Sequence, residues 1–146
     1  MGVDYKVDLN KLNQDLKLNN IFYKDASKRF NVKSFKAWGG AYAVEKISKK
    51  KNKITVSTAT AGNHGKSVAW GAKRLKLKCK IFVSQHVSKT RVDEIKKFGA
   101  EVIKVKGNYE DSLKKCQILS KKNNWSIIQD VSTKNNRYVP QLTMAG

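Results

Sequence analysis

From residue 54 the chain alternates between two hydrophobic rhythms. Ile54-Thr55-Val56-Ser57-Thr58 is a short β-branched run, the signature of a buried strand, and Thr60 to Gly65 forms a small, polar turn. Val68, Ala69, Ala72 and Leu75 then recur at helical spacing. The cycle repeats with a strand at Cys79–Val83 and a helix carrying Val92, Ile95 and Phe98, closed by Gly99 at the position after its last turn. A third strand is predicted at Glu101–Val105 and a helix from Tyr109 to Lys122, apolar at Leu113, Cys116, Ile118 and Leu119. Trp125–Ile128 reads as a fourth strand. Strands separated by helices cannot pair as hairpins, so the pattern predicts an α/β fold: a three-layer open parallel sheet with right-handed βαβ crossovers.

Before residue 54 the pattern is weaker. The first twenty residues show no clear period and read as an extended arm with a turn of helix, followed by a short strand at Ile21–Tyr23 and a loop at Asp25–Asn31. Ser34 is a good helix cap, and Phe35, Trp38, Tyr42 and Ile47 predict a helix ending at Ser48–Asn52, with lysines at the negative end of its dipole. Pro140 opens a last helix with Leu142 and Met144, and the chain ends before that helix completes a buried face, as expected of a piece of a longer protein.

A 146-residue chain with 40% hydrophobic residues has enough apolar surface to fold. The net charge of +20 raises the possibility of a polyanion partner. Arginine supplies only Arg29, Arg74, Arg91 and Arg137, whereas base-edge readout and bidentate phosphate contacts favour arginine. The lysines instead accompany asparagine pairs such as Asn123-Asn124, a compositional bias that argues against nucleic acid. Cys79 and Cys116 are far apart and fall in apolar runs, as reduced structural thiols do. No stretch reaches the ~18 apolar residues of a membrane span and no apolar leader opens the chain, so a cytoplasmic location is expected.

Against this background Lys36 stands out, because it lies in Ser-Phe-Lys-Ala-Trp-Gly-Gly among aromatic and small residues. A lone lysine usually belongs to a solvated surface. A lysine desolvated by such neighbours loses proton affinity, and a neutral amine is the nucleophile that condenses with aldehydes. Gly39 and Gly40 each cost a helix ~1 kcal/mol, which leaves two readings: close approach by a ligand, or tight backbone packing. The second cluster is the strand-to-helix turn Thr-Ala-Thr-Ala-Gly-Asn-His-Gly. Gly62 suits a backbone conformation closed to other residues, and the helix N-terminus behind it is an anion site, with Thr60 and Asn63 as added donors. His64, taken alone, reads as a capping or packing residue.

Together the two motifs are more specific. SFKAWGG followed by ITVSTATAGNHGKSVAWGAKRL resembles the pyridoxal-phosphate enzymes of the tryptophan-synthase-β type, fold type II, which include threonine synthase and the serine and threonine dehydratases. The lead-in YKDASKRFNVKSFKAWGG, the GNHG turn, Gln129-Asp130 and Tyr138-Val139-Pro140 with Met144 and Gly146 resemble the diaminopropionate ammonia-lyases in particular. The resemblance implies β-elimination of ammonia from 2,3-diaminopropionate to pyruvate. Lys36 would hold pyridoxal 5'-phosphate covalently, Asp130 would act as an acid or base, and Asn63 would lie near the cofactor hydroxyl. Thr60, Ala61, Gly62, Asn63 and His64 would bind the substrate carboxylate. A carboxylate capping a strand end is the plainer reading of Asp130. The family commonly has aspartate where Ala61 stands, an acid implicated in taking the α-proton of the D-isomer; a methyl group cannot do so.

The resemblance also implies a layout. Residues 1–62 would belong to a large cofactor-binding domain, 63–135 to a small α/β domain, and 136–146 to the return into the large one. The family's glycine-rich phosphate loop and its partner for the pyridine nitrogen do not occur before Gly146, so weak cofactor binding and no turnover are expected of these residues alone. A homodimer is implied for the full-length protein, and no metal is expected.

Overall fold

The computed structural model describes residues 5–8, 10–18, 22–25, 27–51, 54–132 and 136–146. It divides into two compact units, Met1–Phe35 and Lys36–Gly146. In the first unit, β1 (Tyr5–Asp8) pairs antiparallel with β2 (Phe22–Asp25), Tyr5 opposite Asp25, around a short helix α1 (Asn10–Asp15). The strand β1 lies where the sequence predicts an arm; Tyr-Lys-Val-Asp alternates apolar and polar, but four residues are too short a run to stand as a strand until a partner supplies the pairing. Ile21, the first residue of the predicted strand, lies outside the described residues.

The second unit is the α/β body. It runs α2 (Ala37–Ser48), β3 (Thr55–Ala59), α3 (Asn63–Arg74), β4 (Lys78–Ser84), α4 (Lys89–Lys96), β5 (Glu101–Val105), α5 (Tyr109–Lys122), β6 (Ser126–Ile127) and α6 (Tyr138–Ala145). The four strands form one parallel sheet in the order β5-β4-β3-β6, with Val56 facing both Cys79 and Ser126. All four predicted strands are present. Gly99 closes α4 with φ +81°, and Asn108 and Asp111 form a reciprocal capping box at the start of α5.

Period-two alternation separates the two faces of the sheet. Cys79, Ile81 and Val83 of β4 join Val68, Ala69 and Ala72 of α3 and Val92 and Ile95 of α4 in one core. Phe82 points the other way, with Ala59, onto Cys116, Leu113 and Leu119 of α5. Helices therefore cover both faces, the three layers expected. Fully buried Ile81 and Phe82 each contribute about 1.5–3 kcal/mol. Ile118, read as apolar lining, is 63% exposed. The buried stripe of α5 runs through Ser112, Cys116 and Ser120, and the Ser120 hydroxyl bonds that of Ser57 at 2.7 Å beneath the sheet. Serines at core positions hide such a stripe from a hydrophobicity pattern.

The helix read from Ser34 begins at Ala37, with Lys36 as its N-cap. Its packed face is not the aromatic one. Ala37, Gly40, Ala43 and Val44 are buried while Trp38 stays half exposed beside Trp70, and α2 lies backbone-close on α3. A Cβ on Gly40 would sit 2.5 Å from the Ser67 hydroxyl, and one on Gly71 would sit 2.6 Å from Ala41 Cα. Tight backbone packing is thus the structural reason for Gly40. No helix among the described residues is long and apolar enough to cross a membrane.

Candidate functional site

Strand order fixes where a ligand can enter. The chain lays down β3, β4 and β5 outward in one direction, then returns to place β6 on the far side of β3. The order reverses between β3 and β6, and in open α/β sheets the crevice beyond the carboxyl ends at such a reversal is the binding position. Both strands leave this crevice through motif residues: β3 through Thr60-Ala61-Gly62 into α3, and β6 through Ile128-Gln129-Asp130.

On the β3 side, the Thr60 hydroxyl oxygen accepts from Gly62 N–H at 3.2 Å and shapes the turn. Gly62 caps α3 with φ −109° and ψ −160°, an extended conformation open to any residue, so the expected special backbone is not found. A Cβ there would meet only Thr60 Oγ1, at 3.9 Å. Space is open in front of the turn. The first N–H groups of α3, from Asn63 on, have no acceptor within the helix and carry its positive dipole end. The Asn63 side chain is exposed beside them.

His64 turns inward and is 2% exposed. Its Nε2 lies 2.9 Å from the Ile128 carbonyl, which can only accept, so Nε2 carries the proton and Nδ1 presents a lone pair. Nδ1 is buried without a hydrogen-bond partner among the described residues, 4.0 Å from Asp130 Oδ2. Burial pushes the ring below its ordinary pKa, against the opposing pull of Asp130 and the Ile128 bond. His64 thereby ties the start of α3 to the end of β6.

On the β6 side, Gln129 is buried and triply held. Its Oε1 accepts from the Thr58 hydroxyl at 3.0 Å, and its Nε2 donates to Tyr109 Oη at 3.1 Å and to the Ala59 carbonyl at 3.5 Å. This anchors the residue before Asp130. Asp130 itself accepts from Lys36 Nζ at 3.3 Å across 94 residues of sequence. Lys36, Asp130 and His64, three residues singled out from the sequence, therefore meet at one point. Tyr109 joins them unforeseen: burial, and then the charge of Asp130, push its hydroxyl above the usual tyrosine range. The sequence marked it only as the start of a helix.

One expectation fails. Lys36 is not desolvated, for its side chain is 43% exposed against 19% for Asp130. The small residues of α2 fill the packed face, and Trp38 meets Trp70 edge-on at 6.2 Å. The lysine is held by charge and open to solvent. The arrangement places an approachable amine, a carboxylate and a helix N-terminus at one sheet crevice: nucleophile, proton acceptor and anion cradle.

Comparison with known proteins agrees with this geometry. The family of pyridoxal-phosphate dependent enzymes matches residues 5–145. Diaminopropionate ammonia-lyase of Escherichia coli K12 is 31% identical over 147 residues, covering 88% of this chain and 37% of that enzyme. The biosynthetic L-threonine dehydratase of Haemophilus influenzae is 34% identical over 110 residues, covering 75% of this chain and 21% of that protein. The crystal structure of E. coli diaminopropionate ammonia-lyase in complex with D-serine superposes with a TM-score of 0.87 at 29% identity, over 99% of this chain and 42% of that one. The chain thus spans well under half the length of the curated relatives it matches. With a match running from residue 5 to residue 145 and the same fold, the chain belongs to the family of pyridoxal-phosphate dependent enzymes.

Proposed function

We propose that this chain carries the amine and the carboxylate-binding turn of an ammonia-lyase that eliminates ammonia from 2,3-diaminopropionate to give pyruvate. The observation that carries the reading is the 3.3 Å approach of Lys36 Nζ to Asp130 at the strand-order reversal. The likeness to diaminopropionate ammonia-lyase over 88% of the chain supports the substrate.

The residues present fit the aldehyde end of pyridoxal phosphate. An exposed primary amine, an open turn in front of Gly62 and the α3 N-terminus form one donor set, and Asn63 adds an amide. When bound, the cofactor supplies an aldehyde for an amine and a ring that spreads the charge left as an α-proton departs. Lys36 would hold it, and Asn63 would lie at its edge. The N–H groups from Asn63 onward, with the Thr60 hydroxyl, would orient a substrate carboxylate; Ala61 and Gly62 contribute backbone and the room for approach. His64 would act here through its backbone, since its ring is committed to Ile128. Asp130, poised against the amine, would hold or move a proton between Lys36 and the substrate. Ala61 offers no acceptor where the resembling enzymes commonly carry aspartate, so turnover of the D-isomer is not part of this proposal.

The division into large-domain residues 1–62 and 136–146 around a small domain at 63–135, the homodimer and the cytoplasmic location belong to the same proposal. The test is a substrate comparison in the protein that contains this chain. Pyruvate from L-2,3-diaminopropionate at a higher kcat/KM than 2-oxobutyrate from L-threonine supports the lyase; the reverse order would assign a threonine dehydratase.

A further inference from the structure

Ser67 lies one turn into α3, is fully buried, and makes two hydrogen bonds to α2. Its Oγ donates to the Ala37 carbonyl at 2.8 Å and accepts from Ala41 N–H at 3.2 Å. Those two backbone groups are the i and i+4 partners of an α-helix, so a side chain from α3 shares the second rung of α2's own ladder, next to the rung made by the N-cap carbonyl of Lys36. Ala37 directly follows Lys36, the N-cap of that helix. Gly40 leaves the opening, because a Cβ there would sit 2.5 Å from the hydroxyl. The other end of the link is α3, whose first residues form the turn at the crevice and whose His64 is tied to Ile128 beside Asp130. One hydroxyl therefore joins the helix that starts at the amine to the helix that starts at the anion cradle.

We propose that Ser67 is a positioning residue: its paired hydrogen bonds set the first turn of α2 against α3 and so hold the Lys36 amine at Asp130. The inference rests on the proposed role of Lys36 as the cofactor-holding amine. Ser67→Ala removes both bonds and leaves the Ala41 N–H and Ala37 carbonyl as each other's i, i+4 partners, so the helix survives while its register on α3 loosens. Loss of ~1 Å of placement is enough to lower the reactivity of a positioned group by one to two orders of magnitude.

The chain is mixed with limiting pyridoxal phosphate and reduced with borohydride, and the share of adduct on the Lys36 peptide is measured by mass spectrometry. Ser67→Ala is expected to lower that share about tenfold, with the denaturant unfolding midpoint near wild type. Gly40→Ala, which drives a methyl onto the hydroxyl and to 3.0 Å from Val68 N, is expected to lower that share as well, with a lower unfolding midpoint, and the double variant is expected to lower the share no further than either single one because all three break one contact. A second readout needs no cofactor. Asp130→Asn is expected to move the ε-methylene resonance of Lys36 in wild type and to leave it unmoved in Ser67→Ala. An unchanged Lys36 share with an unchanged resonance response overturns the positioning role. Loss of cooperative unfolding in Ser67→Ala also overturns it, making the hydroxyl a requirement of the whole fold. If wild type shows no preference for Lys36, the proposed function fails, while the resonance experiment still decides for or against Ser67.

Discussion

Mild acidification is expected to destabilise this fold through one side chain, His64. Its ring is 2% exposed, and burial holds its pKa below the ordinary 6.5. The unfolded chain therefore takes up a proton near pH 6.5 that the folded chain refuses. Stability is full above that value and is lost as pH falls below it, with a slope approaching about 1.4 kcal/mol per pH unit until the folded ring itself protonates. Between pH 7.5 and 5.5 the loss is at most about 1.4 kcal/mol, or about 4 °C in Tm for a domain of this size. Asp25 and Glu45 do not confuse the window. Their carboxyls are held below 3.8 and 4.5 by hydrogen bonds from Ser27 and Lys49, so what they contribute is lost only at lower pH. The assay is urea unfolding at half-unit pH steps for wild type and His64→Gln, which retains an N–H donor for Ile128 and cannot titrate. The variant is expected to be flat where wild type slopes. Equal slopes in the two proteins would refute the buried, neutral histidine.

Other positions have equally definite outcomes. Gly71→Ala sets a methyl 2.6 Å from the Ala41 backbone, where no side chain can yield, and is expected to cost about 3 kcal/mol in chemical denaturation. Cys79, with its thiol pushed up to about 12 by burial, and the buried Cys116 are both expected to resist thiol reagents in the native state and to react in urea. Asn108→Ala removes the capping box of α5 and is expected to lower stability by about 1 kcal/mol without changing the m-value.

Much of this molecule is written locally in its sequence. The four parallel strands are legible because each is a β-branched or apolar run bounded by turn residues, and Gly99 marks the end of α4. Lys36, the Thr60–His64 turn and Asp130 are legible as motifs, although only the topology brings residues 94 positions apart to 3.3 Å. What escaped the pattern depends on tertiary partners. The strand β1 exists through β2, Ser112 and Ser120 occupy core positions because hydroxyls meet beneath the sheet, and the aromatic residues of α2 gave way to its small ones. The last of these misplaced the chemistry of Lys36. A run of aromatic neighbours suggested desolvation, but a helix displays Trp38 and Lys36 on faces that the packing of Gly40 against Ser67 selects.

The central claim is that one lysine among many is the amine built to receive an aldehyde. The most direct measurement is peptide mapping after the chain is reduced with borohydride in the presence of pyridoxal phosphate, for wild type and Lys36→Ala. The adduct is expected to concentrate on the peptide containing Lys36 and to vanish from that region in the variant, with no gain elsewhere. Adduct spread evenly over the surface lysines, unchanged by Lys36→Ala, would contradict it.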